Sequence, residues 1–239
     1  MSENLTDVER VLLQKNGFLP RLLFVLAGPS GVGKNTIIKK LLTNHPDEMG
    51  RVVTYTTRPP RKNEVEGVQY HFVSREQFRD LALAERLMEA DAQTAGHDVY
   101  RSGHLYSMPA DIYEGLPPQK HLVVAEVDIY GMRRLRERYP DCVTIFVTAP
   151  PAVLLERIDK RPDPHMDDKT RAQRMVIARE QIQAAKEFDY ILFNRAGCLG
   201  ETVAQVEAII RAERMRVRHG ADLEAVIPAE AFTQSSEEA

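Results

Sequence analysis

Residues 22–45 read LLFVLAGPSGVGKNTIIKKLLTNH, and no other stretch limits the possible folds as tightly. The run Leu22 to Ala27 is short, apolar and ends in glycine, which reads as a strand buried on both faces, as in a parallel sheet. From Thr36 onward apolar residues recur at helical spacing. Between the two lies G-x-x-x-x-G-K, from Gly28 to Lys34. Glycines at 28, 31 and 33 let the backbone curl until successive N–H groups point inward, a geometry that suits phosphate oxygens. The helix opening at Lys34 adds its positive dipole end, and the lysine adds a mobile charge for β- and γ-phosphates. Strand, glycine loop and helix together predict a nucleotide site built from Gly28, Pro29, Ser30, Gly31, Val32, Gly33, Lys34, Asn35 and Thr36.

Asn35 departs from the usual pattern, which has Ser or Thr after the lysine to present a hydroxyl to the metal ion. An amide oxygen can meet magnesium or a metal-bound water instead. Thr36 is next, but its helical position points it elsewhere. Magnesium is then held mainly by phosphates and waters, as is common for that ion.

The rest of the chain reads as alternating strands and helices. RVVTY (51–55), HLVVAEVD (121–128), CVTIFVT (142–148) and DYILFN (189–194) are further strands. Residues 56–72 carry Pro, Gly and charge, and read as loops and short antiparallel strands. Ser74 with Gln77 three residues on is a capping-box start for a helix over REQFRDLALAERL. QTAGHDVYRSGHLYS (93–107) reads as a loop or extended hairpin. AVLLERIDK (152–160), TRAQRMVIAREQIQAAKEF (170–188) and ETVAQVEAIIRAERMRVR (201–218) read as helices, and residues 5–15 as a short amphipathic one. The alternation predicts an α/β fold, a parallel sheet flanked by helices.

Composition narrows the partners. The 239 residues carry a net charge of −3, so nucleic acid is not expected as a partner. Cys142 and Cys198 match no metal or disulfide pattern and read as reduced thiols of a cytoplasmic protein. His97, Asp98 and His104 lack further ligands at the spacing a metal site needs. MSENLTDVER carries acids and no long apolar run, so no signal peptide is expected. No stretch approaches the roughly 20 apolar residues of a membrane span.

A second segment points to an acceptor. Arg58 and Arg61 lie three apart in a loop, and forked guanidiniums with the phenol of Tyr70 make a good monophosphate clamp. Asp128 ends a buried strand, where sugar and phosphate sites of open sheets gather, and Glu126 is placed to order magnesium through water. The segment TYTTRPPRKNEVEGVQYHFVS resembles the guanylate kinase signature, T-T-R-x-P-R followed by Glu, Gly and Tyr. The loop GPSGVGK, the strand end EVDIYG and APP opening a helix resemble the same family, and the resemblance runs over about residues 20–212.

The resemblance implies a P-loop NTPase fold, with ATP as donor, GMP as acceptor and Mg2+ bound with ATP. It places guanine contacts on Thr54, Glu89 and Asp128, where a carboxylate at Glu89 would accept both N1–H and N2–H of guanine. After Tyr106 the family has Gly and then Ser or Thr, whereas this chain has Ser107 and Met108, so a hydroxyl that reads guanine becomes a thioether unless Ser107 compensates. Asn194 matches a family position on the adenine side. The stretch ERIDKRPDPHMDDKTRAQRM matches the family's lid, and its arginines fall on Arg157, Arg161 and Arg174, with Arg171 the alternative to Arg174.

Phosphoryl transfer needs positive charge where negative charge spreads in the transition state, which Lys34, Arg58 and the lid arginines would supply. The acceptor is already an anionic phosphate oxygen, so no general base is expected. The implied organisation is an N-terminal helical extension (1–19), a kinase-like domain (20–219) and a tail (220–239). Within the domain lie a core (20–51, 107–156, 176–219), an NMP-binding subdomain (52–106) and a lid (157–175). Two alternatives stay open: a kinase of another small phosphate, such as dGMP or ribose bisphosphate, or a binding module that has lost catalysis.

Overall fold

The computed structural model describes residues 9–10, 19–61, 64–88, 104–159, 179 and 181–216. A five-stranded sheet runs through its centre in the order β2-β6-β1-β7-β8. These strands are β1 (Leu22–Ala27), β2 (Met49–Arg51), β6 (Leu122–Glu126), β7 (Val143–Thr148) and β8 (Tyr190–Phe193). Every neighbouring pair is parallel. A parallel sheet buries both faces, and β1 and β7 are buried at every residue.

Alternate side chains of β1 serve different layers. Leu22, Phe24 and Leu26 pack with Ile37, Ile38 and Leu41 of α1 (Lys34–Asn44) and with Val203, Val206 and Ile210 of α5 (Leu199–Glu213). Leu23 and Val25 pack on the other face with Met132 and Leu135 of α3 (Ile129–Arg138) and with Met108 and Ile112. α4 (Pro151–Asp159) follows β7. Because all five strands run one way, their C-terminal ends share one edge, where open α/β sheets gather ligands. At that edge β1 enters the glycine loop, β6 ends in Glu126 and β2 ends in Arg51.

A smaller sheet, β4-β3-β5, stands beside it and is built from β3 (Thr54–Thr56), β4 (Tyr70–Phe72) and β5 (Tyr106–Ser107). α2 (Arg75–Leu83) covers it through Phe78 and Ala82. The expected capping box at Ser74 is formed: its side chain accepts from the Gln77 N–H, and the Gln77 side chain accepts from the Ser74 N–H.

Three expectations are corrected and one helix is added. RVVTY is not one strand: Arg51 closes β2 in the large sheet, Thr54 opens β3 in the small one, and Val52–Val53 form the joint. β3 and β4 pair in parallel, not antiparallel. The 57–69 connection is long enough to carry the chain back before it pairs, and among the described residues only β5 runs antiparallel to β3. Helix α3 was not anticipated. The last helix ends at Glu213, where Arg214 turns onto Glu9, instead of running on to 218. Among the described residues no helix is long and apolar enough to cross a membrane.

Candidate active site

Three glycines of the loop sit at positive φ: Gly28 at 141°, Gly31 at 88° and Gly33 at 96°. The first is dictated twice over, because a Cβ there would lie 1.9 Å from the Val147 carbonyl oxygen of β7. Lys34 folds back over the loop, donating to the carbonyls of Gly28 (2.8 Å) and Pro29 (3.3 Å), with Glu126 Oε1 3.9 Å away. Buried Asn194 braces the loop from behind, donating to the Val32 carbonyl at 2.7 Å and accepting from Thr202 at 3.3 Å. Arg157 reaches the same carbonyl at 3.2 Å and also bonds the Arg195 carbonyl. Ser30 and Thr36 are exposed.

Asn35 does not point to solvent. Its Nδ2 faces Glu126 Oε1 at 3.4 Å, and its Oδ1 accepts from Arg51 Nη2 at 2.9 Å. The same Nη2 donates to Glu126 Oε2 at 3.1 Å. An amide and a carboxylate beside a phosphate loop are hard oxygen donors. No group of three or more His, Cys, Asp or Glu side chains that could hold a metal exists among the described residues. The donor set therefore suits a cation that arrives with phosphates and water, as magnesium does.

On the small sheet, Arg58 is gripped by Glu64. Its Nη1 lies 2.9 Å from Oε2 and its Nη2 donates to Oε1 at 3.0 Å. The guanidinium lies over Tyr70 and Phe72, 5.4 and 5.8 Å from the ring centroids. Burial alone would raise the Glu64 carboxyl, but hydrogen bonds from Arg58 and the Arg61 N–H, with the charges of both arginines, hold it below its ordinary value. Arg61 is the less fixed of the pair, with a side chain 47% exposed and 4.0 Å from Glu64. Tyr106 stacks edge-on against Tyr70 at 6.0 Å.

The two regions are adjoining. Burial pushes the Tyr70 hydroxyl far up, helped by the charges of Glu126 and Tyr106, while Arg51 and Arg58 pull it down. Tyr70 thus feels both the loop's carboxylate and the second segment's guanidinium. Thr54 is buried opposite Tyr70. Asp128 caps α3, its Oδ1 accepting from Gly131 N at 2.8 Å. Ser107 is buried and donates to the Met108 carbonyl at 3.2 Å, and the Met108 side chain packs in the core, 3% exposed. Glu89, Arg161, Arg171 and Arg174 lie outside the described residues, as do His97 and Asp98.

A family model described as guanylate kinase matches residues 21–213. The chain belongs to the guanylate kinase family. Among curated relatives, the guanylate kinase of Symbiobacterium thermophilum is 39% identical over 205 residues, covering 84% of this chain and 90% of the relative. That of a Synechococcus strain is 36% identical over 190 residues, covering 79% and 81%. A crystal structure of guanylate kinase from Anaplasma phagocytophilum aligns with a TM-score of 0.62 at 24% identity, covering 87% of this chain and 93% of that one. That likeness shows a shared fold.

Two residues of this guanylate kinase site escaped the sequence reading. Glu64 stands inside the quoted signature, three residues after Arg61, yet its grip on Arg58 depends on how the loop turns. Arg51 heads a β-branched run, and that lone charge was the available signal.

Proposed function

We propose that the chain transfers the γ-phosphoryl group of ATP to GMP, giving ADP and GDP. The observation that supports this reading is the nearness of two groups of residues, the glycine loop with Lys34 and Arg58 with Tyr70: Glu126, 3.9 Å from Lys34, lies close enough for its charge to act on Tyr70. The glycine loop's N–H groups, the helix end and Lys34 would hold the donor phosphates. The fork of Arg58, with Arg61 and Tyr70, would hold the acceptor phosphate in line with them, an arrangement in which positioning and electrostatics do the catalysis. Glu64 pairs with that fork through both of its oxygens.

Thr54, Glu89, Tyr106, Ser107 and Asp128 would form the guanine side, and Asn194 would steady the donor side. Arg157, Arg161 and Arg174 belong to a lid over residues 157–175 that would bring further charge to the transferring group and exclude water. Magnesium bound with ATP supplies charge that offsets the phosphate oxygens, and Asn35 with Glu126 would hold it, the carboxylate through water. In this reading the core spans 20–51, 107–156 and 176–219, the acceptor subdomain 52–106, the extension 1–19 and the tail 220–239. The protein would work in the cytoplasm, in purine nucleotide metabolism.

The test is purified protein with MgATP and a panel of GMP, dGMP, AMP, UMP and sugar phosphates, scored for ADP and product. GMP-dependent turnover is expected. Turnover only with another acceptor, or ligand stabilisation without turnover, overturns the reading. Lys34→Ala should keep the fold and lose on the order of 10²–10³ in rate or more.

A further inference from the structure

Arg51 holds a place in this site that no phosphate-loop pattern assigns. It is the last residue of β2, two strands from the loop in the sheet order β2-β6-β1. From there Nη2 reaches both Asn35 Oδ1 (2.9 Å) and Glu126 Oε2 (3.1 Å). The side chain is 10% exposed, and its buried Nε–H has no hydrogen-bond partner. The orientation of the Asn35 amide follows from its neighbours: oxygen toward the guanidinium, nitrogen toward the carboxylate. The opposite flip would set NH2 against a cation and oxygen against an anion. A serine hydroxyl is shorter than a carboxamide and would not span the same distance.

The charges give the arrangement a direction. Glu126 lies 3.9 Å from the lysine that serves the phosphates, so its carboxylate opposes an incoming triphosphate. Lys34 cannot both neutralise Glu126 and follow the phosphate chain. Arg51 is the second cation on Glu126, on the oxygen that Lys34 does not face. Its field also reaches Tyr70 on the acceptor side.

We propose that Arg51 is a positioning residue of the transfer site, which orients the Asn35 amide and offsets the Glu126 carboxylate so that the loop takes the phosphate chain of ATP before a divalent metal is bound. The inference rests on the kinase reading only for the identity of the ligand. Without Arg51, Glu126 repels metal-free ATP, and magnesium compensates by bringing its own charge. Loss of Arg51 therefore deepens the dependence of ATP binding on metal, and does not weaken binding uniformly.

The experiment is calorimetric titration of ATP into wild type, Arg51→Met, Arg51→Lys and Arg51→Met/Glu126→Gln, each in EDTA and in excess Mg2+. Arg51→Met should weaken metal-free ATP binding about ten-fold or more, the scale of a lost charge-assisted contact, and MgATP binding by clearly less. Adding Glu126→Gln should restore metal-free binding, because the charge that needed compensation is gone. Arg51→Lys keeps the charge without the fork and should lie between wild type and Arg51→Met in EDTA. Equal losses in EDTA and Mg2+, no loss in either, no rescue by the second substitution, or a wild type that binds ATP only with metal would each overturn the proposal. Thermal melts confirm folding, and if Arg51→Met does not fold, the Arg51→Lys comparison alone decides by the same split. GMP turnover by wild type is scored separately: its absence would remove the kinase reading and leave the ATP comparison readable.

Discussion

Arg58 is held from several sides at once. Glu64 fills its fork, the Pro59 carbonyl accepts from Nη1 at 2.7 Å, and two aromatic rings lie beneath it. A planar fork that already fits a carboxylate fits a phosphate by the same two bonds, which an ammonium cannot copy. Arg58→Lys should therefore raise the KM for GMP about 10- to 100-fold, the worth of a charged hydrogen bond, while ATP affinity stays near wild type. Initial rates over a GMP series at saturating MgATP measure it, and an unchanged KM would remove Arg58 from the acceptor site. Glu64 carries a pH consequence. Its folded pKa lies below the ordinary 4.5, so the unfolded chain takes the proton first as pH falls. The stability it contributes is complete above pH 4.5 and is lost as pH drops through the lower folded value. Glu64→Gln should melt below wild type at pH 7, and the gap should narrow in melts taken at progressively lower pH under pH 4.5.

The turn from β1 into α1 is rigid because Gly28 lies against the backbone of β7. Gly28→Ala forces a methyl into the Val147 carbonyl and a left-sided φ onto an L-residue, so either the loop or the β1–β7 contact must open. Thermal melts and ATP titration should both show a loss; a variant that melts and binds like wild type would mean that the loop has slack the geometry denies. This element was legible in the sequence because strand, turn and helix lie within 23 consecutive residues and each part has its own signal. The capping box at Ser74 was legible for the same reason. α3 was not: its apolar contacts are the spaced Ile129, Met132 and Leu135 among arginines, and its cap, Asp128, reads equally as the end of the strand before it. The split of RVVTY was hidden because β-branched residues favour extended backbone in either sheet. Arg51 was hidden for a topological reason. Its partners come from β6 and α1, and only the strand order β2-β6-β1 puts them within reach.

The proposed transfer site and a buried ionic cluster sit at opposite edges of the large sheet. The loop, Glu126 and Arg51 lie at the C-terminal strand ends, while the N-terminal ends hold a separate ionic cluster next to His121 and Glu48, the residues just before β6 and β2. There Arg214 donates to both oxygens of Glu9 at 2.6 and 2.7 Å, with Glu48 3.7 Å away and both side chains of the main pair 6% exposed. Burial lowers His121, which stays neutral at pH 7 and leaves Arg214 as the cluster's cation facing Glu9 and Glu48. A buried guanidinium tolerates its surroundings only while its counter-charge is present, so removing one partner costs far more than the pair is worth. Glu9→Gln removes the charge that faces Arg214 at 2.6 and 2.7 Å and leaves an amide with one accepting oxygen in place of two. The expected loss is about 3–5 kcal/mol, a drop in Tm on the order of 10 °C for a domain of this size. Double replacement of Glu9 and Arg214 by uncharged residues of similar volume should recover part of it, because the buried guanidinium goes with its counter-charge and Glu48 keeps His45 at 2.9 Å. Well below the lowered Tm, the kcat and KM for GMP should match wild type, since the cluster and the transfer site share no residue. A Glu9→Gln protein with unchanged Tm would show that the first segment does not hold the last helix, and a changed KM at low temperature would show that the two edges of the sheet are coupled.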